Sequence, residues 1–412
     1  MKVIFIDEAD SSCANGIGTF RRMLLPEIEK NAEVIVLSMN AKVEKPSVSD
    51  DGSVVEYFFP EYTREEGGWR NNGDKVFNML SEALQDSPEN VFIVNHSPCA
   101  QFIDELKKKY PLSKTVFVIH DQGWCGRLFG NKKLLEDIVV KNVSPREVSE
   151  DTAAFVKEYC EKEREIYRRV DAVVSLSESC RQTLVDIYGV PGEKIHVIPN
   201  GYISMGGRHL SKSRARQRLG LIQDEEIVIF AGRTVRHKGI EPLLKAIARL
   251  RKNHPRLRCV MCGSLSGFGK YGQFIEPIAS SLIFTGFIPH KQLQYWYAAA
   301  DVGVMPSYSE PFGYSGIEMA DAGLPVVVSD GYCLTDIYED GINGFVAKIG
   351  NNITRTAAFA RSLTEKIEEA LDAPTDKRRS IVAESRRRIR TRYSADRMAA
   401  SYLSLFRKLL SD

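Results

Sequence analysis

The 412 residues exceed the roughly 100 to 200 of one domain, so two or three domains are expected, each large enough to bury its own core. Hydrophobic residues are 43% and charged residues 27% of the chain, which excludes a disordered, collagen-like or disulfide-stapled protein. Fifty-six Lys and Arg against 54 Asp and Glu leave +2, too small an excess for binding dominated by a phosphate backbone, so no nucleic-acid partner is expected.

The apolar start, Lys2 to Ile6, meets Asp7 before it reaches the length of a signal-peptide core. No run approaches the roughly 18 apolar residues of a spanning helix. The expected location is cytoplasmic, with membrane contact at most peripheral. Strands are expected at Lys2 to Ile6, Glu33 to Leu37, Val91 to Asn95, Thr115 to Ile119, Ala172 to Leu176 and Lys194 to Ile198. Helical patterns fill most of the gaps. Pro199-Asn200-Gly201 and the basic stretch Gly206 to Arg218 break the pattern and read as a connector. Strands then resume at Ile227 to Ala231, Arg258 to Cys262, Ile283 to Phe284, Val302 to Met305 and Val326 to Ser329. Such alternation is the signature of βαβ units, so the fold class is α/β: two Rossmann-like domains with parallel sheets, 1–205 and 206–394.

Two stretches interrupt the first half. Tyr57 to Gly73 carries Phe58, Phe59, Tyr62 and Trp69 among glycines and asparagines, and reads as an aromatic lid; Gln122 to Asp151 is a second long irregular segment. Cys259 and Cys262 have a CxxC spacing but fall in a strand, where positions three apart face opposite ways, so they read as buried rather than as a redox or metal pair. His96, His196, His254 and Trp296 read as core or surface positions.

Ligands of open α/β sheets sit beyond the carboxyl ends of strands. After Ile227 to Ala231 come Gly232-Arg233 and then Lys238-Gly239 at a helix start: two cations beside a helix amino terminus suit a diphosphate. After Val302 to Met305 comes Glu310-Pro311-Phe312-Gly313-Tyr314-Ser315-Gly316-Ile317-Glu318. Its two carboxylates suit vicinal sugar hydroxyls, and Gly313 and Gly316 permit close approach to backbone N–H groups.

Together with Thr285-Gly286-Phe287, Tyr297 to Val302, Ala322 to Val327 and Asn343-Gly344-Phe345, these motifs resemble retaining glycosyltransferase family 4. The resemblance covers about Ile227 to Val346. It implies the GT-B architecture of two facing Rossmann domains, with the final helix, 395–412, crossing back to the first. It implies a nucleoside-diphosphate sugar as donor, Arg233 and Lys238 neutralising the diphosphate, Glu310 touching the transferred sugar and Glu318 holding the ribose. Phe312, Gly313, Tyr314 and Ser315 would complete the donor site. Asn15-Gly16-Ile17-Gly18-Thr19 looks like the family's glycine-rich turn, placing Gly16 and Gly18 near the diphosphate, and His120-Asp121 matches a pair facing the sugar. The catalytic candidates are therefore Glu310, His120, Arg233 and Lys238.

No Asp-x-Asp occurs, so no metal and no cofactor are expected; the two cations would stabilise the leaving diphosphate. The expected reaction is transfer with retained configuration, by same-face attack, from a UDP-sugar in preference to a GDP-sugar. The acceptor is expected to be a glycan or lipid-linked glycan hydroxyl, with Asp121, Trp124, Arg127 and Trp69 as acceptor candidates. A non-catalytic binding partner and a sugar-nucleotide epimerase are the alternatives. One departure stands out: Gly331-Tyr332-Cys333-Leu334-Thr335-Asp336 replaces the family's Gly-Gly and Glu, which leaves donor contacts from that turn in doubt. Gly201 is the hinge candidate.

Overall fold

The protein is described from a computed structural model covering residues 1–9, 16–50, 52, 54–61, 72–96, 99–204, 210–264, 267–350 and 356–411. The first half runs β1 (Lys2–Glu8), α1 (Gly16–Ile28), β2 (Glu33–Ala41), β3 (Ser47–Asp50), β4 (Val54–Pro60), α2 (Gly73–Leu80), β5 (Asn90–Val94), α3 (Ala100–Lys109), β6 (Lys114–Val118), α4 (Gly123–Arg127), α5 (Lys132–Val139), α6 (Glu150–Arg169), β7 (Ala172–Ser175), α7 (Glu178–Asp186) and β8 (Ile195–Val197). The second runs α8 (Lys212–Leu219), β9 (Glu226–Ala231), α9 (Ile240–Leu250), β10 (Leu257–Cys262), α10 (Gly272–Ile275), β11 (Leu282–Gly286), α11 (His290–Ala299), β12 (Val302–Met305), α12 (Tyr314–Ala322), β13 (Val326–Ser329), β14 (Phe345–Ala347), α13 (Thr356–Asp372), α14 (Thr375–Arg392) and α15 (Ala395–Ser411).

Two sheets result, ordered β3-β4-β2-β1-β5-β6-β7-β8 and β11-β10-β9-β12-β13-β14. Every pairing is parallel except the β3–β4 hairpin. The central strands are continuous β-branched and aromatic runs such as Val91-Phe92-Ile93-Val94, buried on both faces, as sheets covered by helices on both sides require. In each sheet the strand order reverses once, between β1 and β5 and between β9 and β12. At such a switch point the crossover helices leave in opposite directions and open a crevice.

The structure corrects several expectations. Tyr57 to Pro60 is not lid: it is the end of β4, paired with β2 through Leu37↔Tyr57 and Ser38↔Phe58, and Phe59 is buried. The apolar run began at Val54, ahead of the aromatics that drew attention. Trp69 and the rest of 62–71 lie outside the described residues. Gln122 to Asp151 is not irregular, since it folds into α4, α5 and the start of α6 around buried Trp124, Leu128, Leu135 and Ile138. The short strand β14 was also not foreseen. Cys259 and Cys262 are both buried and join different core clusters on opposite faces of β10, as the alternation of a strand demands.

The chain passes between the halves twice. Tyr202 N–H donates to Tyr393 O at 2.7 Å and Ala395 N–H to Tyr202 O at 3.3 Å, so the outgoing and returning segments pair side by side. Gly201 makes that approach possible: a Cβ there would lie 2.6 Å from Ala395 Cα. Beyond the crossing, α15 packs on α1, with the Phe20 and Tyr402 rings 5.9 Å apart. Among the described residues, no helix is long and apolar enough to cross a membrane.

Candidate active site

The switch point of the second sheet carries the cationic turn. β9 is followed by Gly232-Arg233, Thr234 Oγ1 fastens the turn to Ser264 O at 2.7 Å, and Tyr308 N–H donates to His237 O at 2.8 Å, tying it to the loop after β12. Gly239, at φ +72°, is the N-cap of α9, and a Cβ there would stand 2.0 Å from Pro306 O. Only glycine tolerates both. Arg233 is exposed, and its side chain makes no hydrogen bond or ion pair among the described residues. Lys238 pairs with Glu310, both side chains being largely buried.

The loop after β12 carries Glu310, held by a Glu310 N–H to Tyr332 O bond of 3.1 Å, and turns at Gly313 (φ +78°) into α12. Just over one helical turn in, buried Glu318 accepts from Tyr297 Oη at 3.1 Å and lies 3.1 Å from His290 Nε2. That hydrogen bond raises the His290 pKa. Phe312 and Tyr314 are placed differently from a direct donor contact. Phe312 is buried with its ring 4.9 Å from Tyr314 and 5.7 Å from Tyr393, and Tyr314 Oη donates to Gly201 O at 3.3 Å, so both brace the crossing. Ser315 Oγ lies 3.5 Å from Met305 Sδ.

The first domain supplies the opposite wall. Gly16 opens α1 directly across from α12: a Cβ on it would lie 3.8 Å from the Tyr314 ring, while Gly18 is buried. His120, beyond β6, lies with Nε2 3.1 Å from Asn95 Oδ1 and its ring edge-on to Phe20 at 4.7 Å. Desolvation, reinforced by His96, pulls its pKa down to about 3. Asp121 is open at the cleft surface yet surrounded by protein, and desolvation raises its pKa while Lys238 and Arg233 oppose the shift and Glu310 adds to it. Asp121 therefore shares one electrostatic field with the second domain's cations. Glu163 of α6 fixes the intervening turn by accepting the Gly123 N–H at 3.0 Å.

Not every candidate reaches the cleft. Trp124 is fully buried, its ring 4.9 Å from Tyr332, so it cannot offer a face to an acceptor. Arg127 holds its guanidinium 4.5 Å over the Phe155 ring within its own domain. His96, read from sequence as an ordinary position, instead lies at the first switch point, 2.8 Å from Asp7. Its place just beyond a central strand was the available signal.

The unusual turn Gly331 to Asp336 is an interdomain clasp. Asp336 accepts the Ser179 N–H at 2.8 Å and the Ser179 hydroxyl at 2.6 Å, Tyr332 Oη lies 3.3 Å from Gln122 Oε1, and the Phe129 and Tyr308 rings are 5.0 Å apart. Hydrogen bonds to a charged group are worth about 1.5–3 kcal/mol each, less where exposed. Asp336→Ala is expected to lower kcat/KM roughly tenfold by favouring an open cleft, with circular dichroism unchanged. Steady-state kinetics at wild-type rates would show that the clasp is dispensable.

His120 and His237 are both held neutral by burial, at about 3 and about 4 against 6.5 unfolded. Below pH 6.5 the unfolded chain takes up protons that the folded chain refuses, so stability falls as the pH drops from about 6.5 towards 3. His120→Gln is expected to flatten that fall, measured as melting temperature against pH. An unchanged slope would contradict the assignment.

The description "Glycosyl transferases group 1" matches residues 211–388 and "Glycosyltransferase Family 4" matches residues 15–203. The chain belongs to the family 4, group 1 glycosyltransferases. It is 32% identical over 182 residues to an uncharacterized glycosyltransferase of Methanocaldococcus jannaschii, covering 42% of this chain and 45% of that one. It is 28% identical over 254 residues to the D-inositol 3-phosphate glycosyltransferase of Acidothermus cellulolyticus, covering 59% and 56%. The chain thus spans about half the length of the curated relatives it matches. The fold is that of sucrose-phosphate synthase from Thermosynechococcus elongatus, with a TM-score of 0.76 at 20% identity over 100% of this chain and 99% of that one. It is also that of Anabaena HepE, whose solved structures include a UDP-glucose complex, with a TM-score of 0.68 at 18% identity over 99% and 100%. The GT-B architecture expected from the motifs is the one observed.

Proposed function

We propose that the chain transfers a sugar from a UDP-sugar to an acceptor hydroxyl with retention of anomeric configuration, without a metal ion. The observation that carries this reading is the convergence of Arg233, Lys238, Glu310 and Glu318 at the β9/β12 switch point, facing His120 and Asp121. The diphosphate would take the place of Glu310 on Lys238 and meet Arg233, freeing Glu310 for the transferred sugar. Glu318, already receiving one hydroxyl, has the acceptor capacity for the ribose diol. UDP is favoured because solved neighbours of this fold bind UDP and UDP-glucose.

Chemistry consists of departure of the nucleoside diphosphate as its new charge is met by two fixed cations, and attack by the acceptor hydroxyl. Double displacement would need a carboxylate nucleophile on the sugar's far face. Glu310 pairs with Lys238, which in this reading would put it on the leaving-group side. Same-face attack, with the leaving phosphate taking the hydroxyl proton, is therefore the course proposed. An acceptor of the glycan or lipid-linked glycan class remains the reading, and closure of the cleft would keep water from competing. No group of three His, Cys, Asp or Glu side chains arranged to hold a metal occurs among the described residues.

The test needs no acceptor. Hydrolysis of UDP-glucose by water is the probe, run at an enzyme concentration high enough for release to outpace mutarotation, and proton NMR of the first sugar released reads its configuration. The α-anomer is expected; the β-anomer would sink the retaining reading, and the absence of UDP release under any acceptor would return the chain to a non-catalytic role.

A further inference from the structure

The first sheet has its own switch point, between β1 and β5, and a second set of polar groups gathers there. Asp7, at the end of β1, is buried. Its Oδ1 accepts the Glu8 N–H at 2.8 Å and lies 2.8 Å from His96 Nε2, while its Oδ2 has no hydrogen-bond partner among the described residues. Arg21 Nη1 stands 3.9 Å from that oxygen, beyond hydrogen-bonding reach. His96 Nδ1 is 3.7 Å from Glu8. Arg21 is itself engaged by Glu56 at 2.7 Å, and Glu56 also pairs with the Ser38 hydroxyl.

The balance of charge decides what this crevice can hold. Among the described residues, Asp7, Glu8 and Glu56 bring three carboxylates, and Arg21, which stands among them, is already paired with Glu56. A buried carboxylate oxygen left without a donor creates demand for O–H or N–H groups. A phosphate would offer only acceptor oxygens and more negative charge. The crevice adjoins the reaction centre: Asn95 joins it to His120, and Asp121 follows.

We propose that Asp7, Glu8, His96 and Glu56 form the acceptor-recognition face, and that it selects an uncharged polyol and rejects a phosphorylated one. Glu8, Glu56 and His96, which are partly exposed, meet the acceptor's hydroxyls; Asp7 is a positioning residue that holds His96 and sets the negative field. This rests on the transferase reading and names the class of its second substrate.

The probes are matched pairs: glucose and glucose 6-phosphate, fructose and fructose 6-phosphate, myo-inositol and its 1-phosphate. The readout is the side-chain NMR signal of His96 in the UDP-loaded full chain, assigned with His96→Gln. At least one neutral member is expected to shift that signal with an affinity tenfold or more above its phosphate ester. Glu56→Gln, which releases Arg21, is expected to shift the ratio tenfold or more towards the ester; Glu8→Gln, expected to move it the same way, serves if that variant does not fold. Tighter binding of an ester to the wild type, or no response of His96 to any probe, would overturn the proposal. Thermal stabilisation by UDP in the same samples separates the two readings: without it the donor assignment fails, and with it a negative result removes the acceptor assignment alone.

Discussion

Arg233→Ala and Lys238→Ala are expected to reduce donor turnover by roughly 10²- to 10³-fold each, the usual cost of removing one preorganised group that meets developing charge. Their effects on stability should differ. The Arg233 side chain is exposed and makes no hydrogen bond or ion pair among the described residues, so its loss should leave the melting temperature within about a degree. Lys238 neutralises Glu310 in the ligand-free cleft, and removing it strands a largely buried carboxylate at a cost of about 1–3 kcal/mol. The double variant should lose less than the product of the single effects, because both cations act on one leaving group. Initial rates with melting curves on the same preparations check this. A near-wild-type rate for Arg233→Ala would remove the diphosphate from this turn.

Gly239→Ala is the second large effect, and it acts through the backbone. The residue sits at φ +72°, where a side chain costs about 1 kcal/mol or more, and the added Cβ would lie 2.0 Å from Pro306 O. Relief would require the β9 and β12 loops to part, undoing the Tyr308 to His237 bond that joins them. The expected loss is about 3 kcal/mol or more, together with nearly all activity, because Lys238 and Glu310 are carried by those two loops. Gly220→Ala makes the control. Its φ of +68° is similar, but nothing lies within 4 Å of the added Cβ, so it should cost only the conformational strain. Equal losses in chemical denaturation would show that the loop junction is not the cause.

Much of this arrangement is legible in the amino-acid sequence because it depends on local pattern. Runs such as Val302-Gly303-Val304-Met305 are strands in any α/β setting, and Arg233, Lys238, Glu310 and Glu318 follow strands at fixed short offsets. β3 and β4 were not legible. Ser47 to Asp50 is short, polar and exposed, and is a strand only because β4 pairs with it. Trp124 illustrates a second limit: an aromatic residue beside a polar turn resembles a sugar platform until α6 and Tyr332 are known to enclose it. His96 illustrates a third. Its partner Asp7 lies 89 residues away along the chain, and only the reversal of strand order brings the two together. The turn at Gly331 to Asp336, where the chain departs from the family pattern, faces the other domain, with Asp336 bound to Ser179.

Nucleotide binding to the intact chain tests the central claim most directly, namely that the β9/β12 crevice is built for a nucleoside diphosphate held by Arg233 and Lys238. Thermal melting with UDP, GDP or ADP in large excess, with and without EDTA, gives the answer in one plate. A ligand at 100 times its dissociation constant adds about 2.7 kcal/mol. The account predicts stabilisation by UDP above the other two, unaffected by EDTA and abolished in Arg233→Ala. No stabilisation by any diphosphate, or stabilisation that survives loss of Arg233 and vanishes with EDTA, would contradict it.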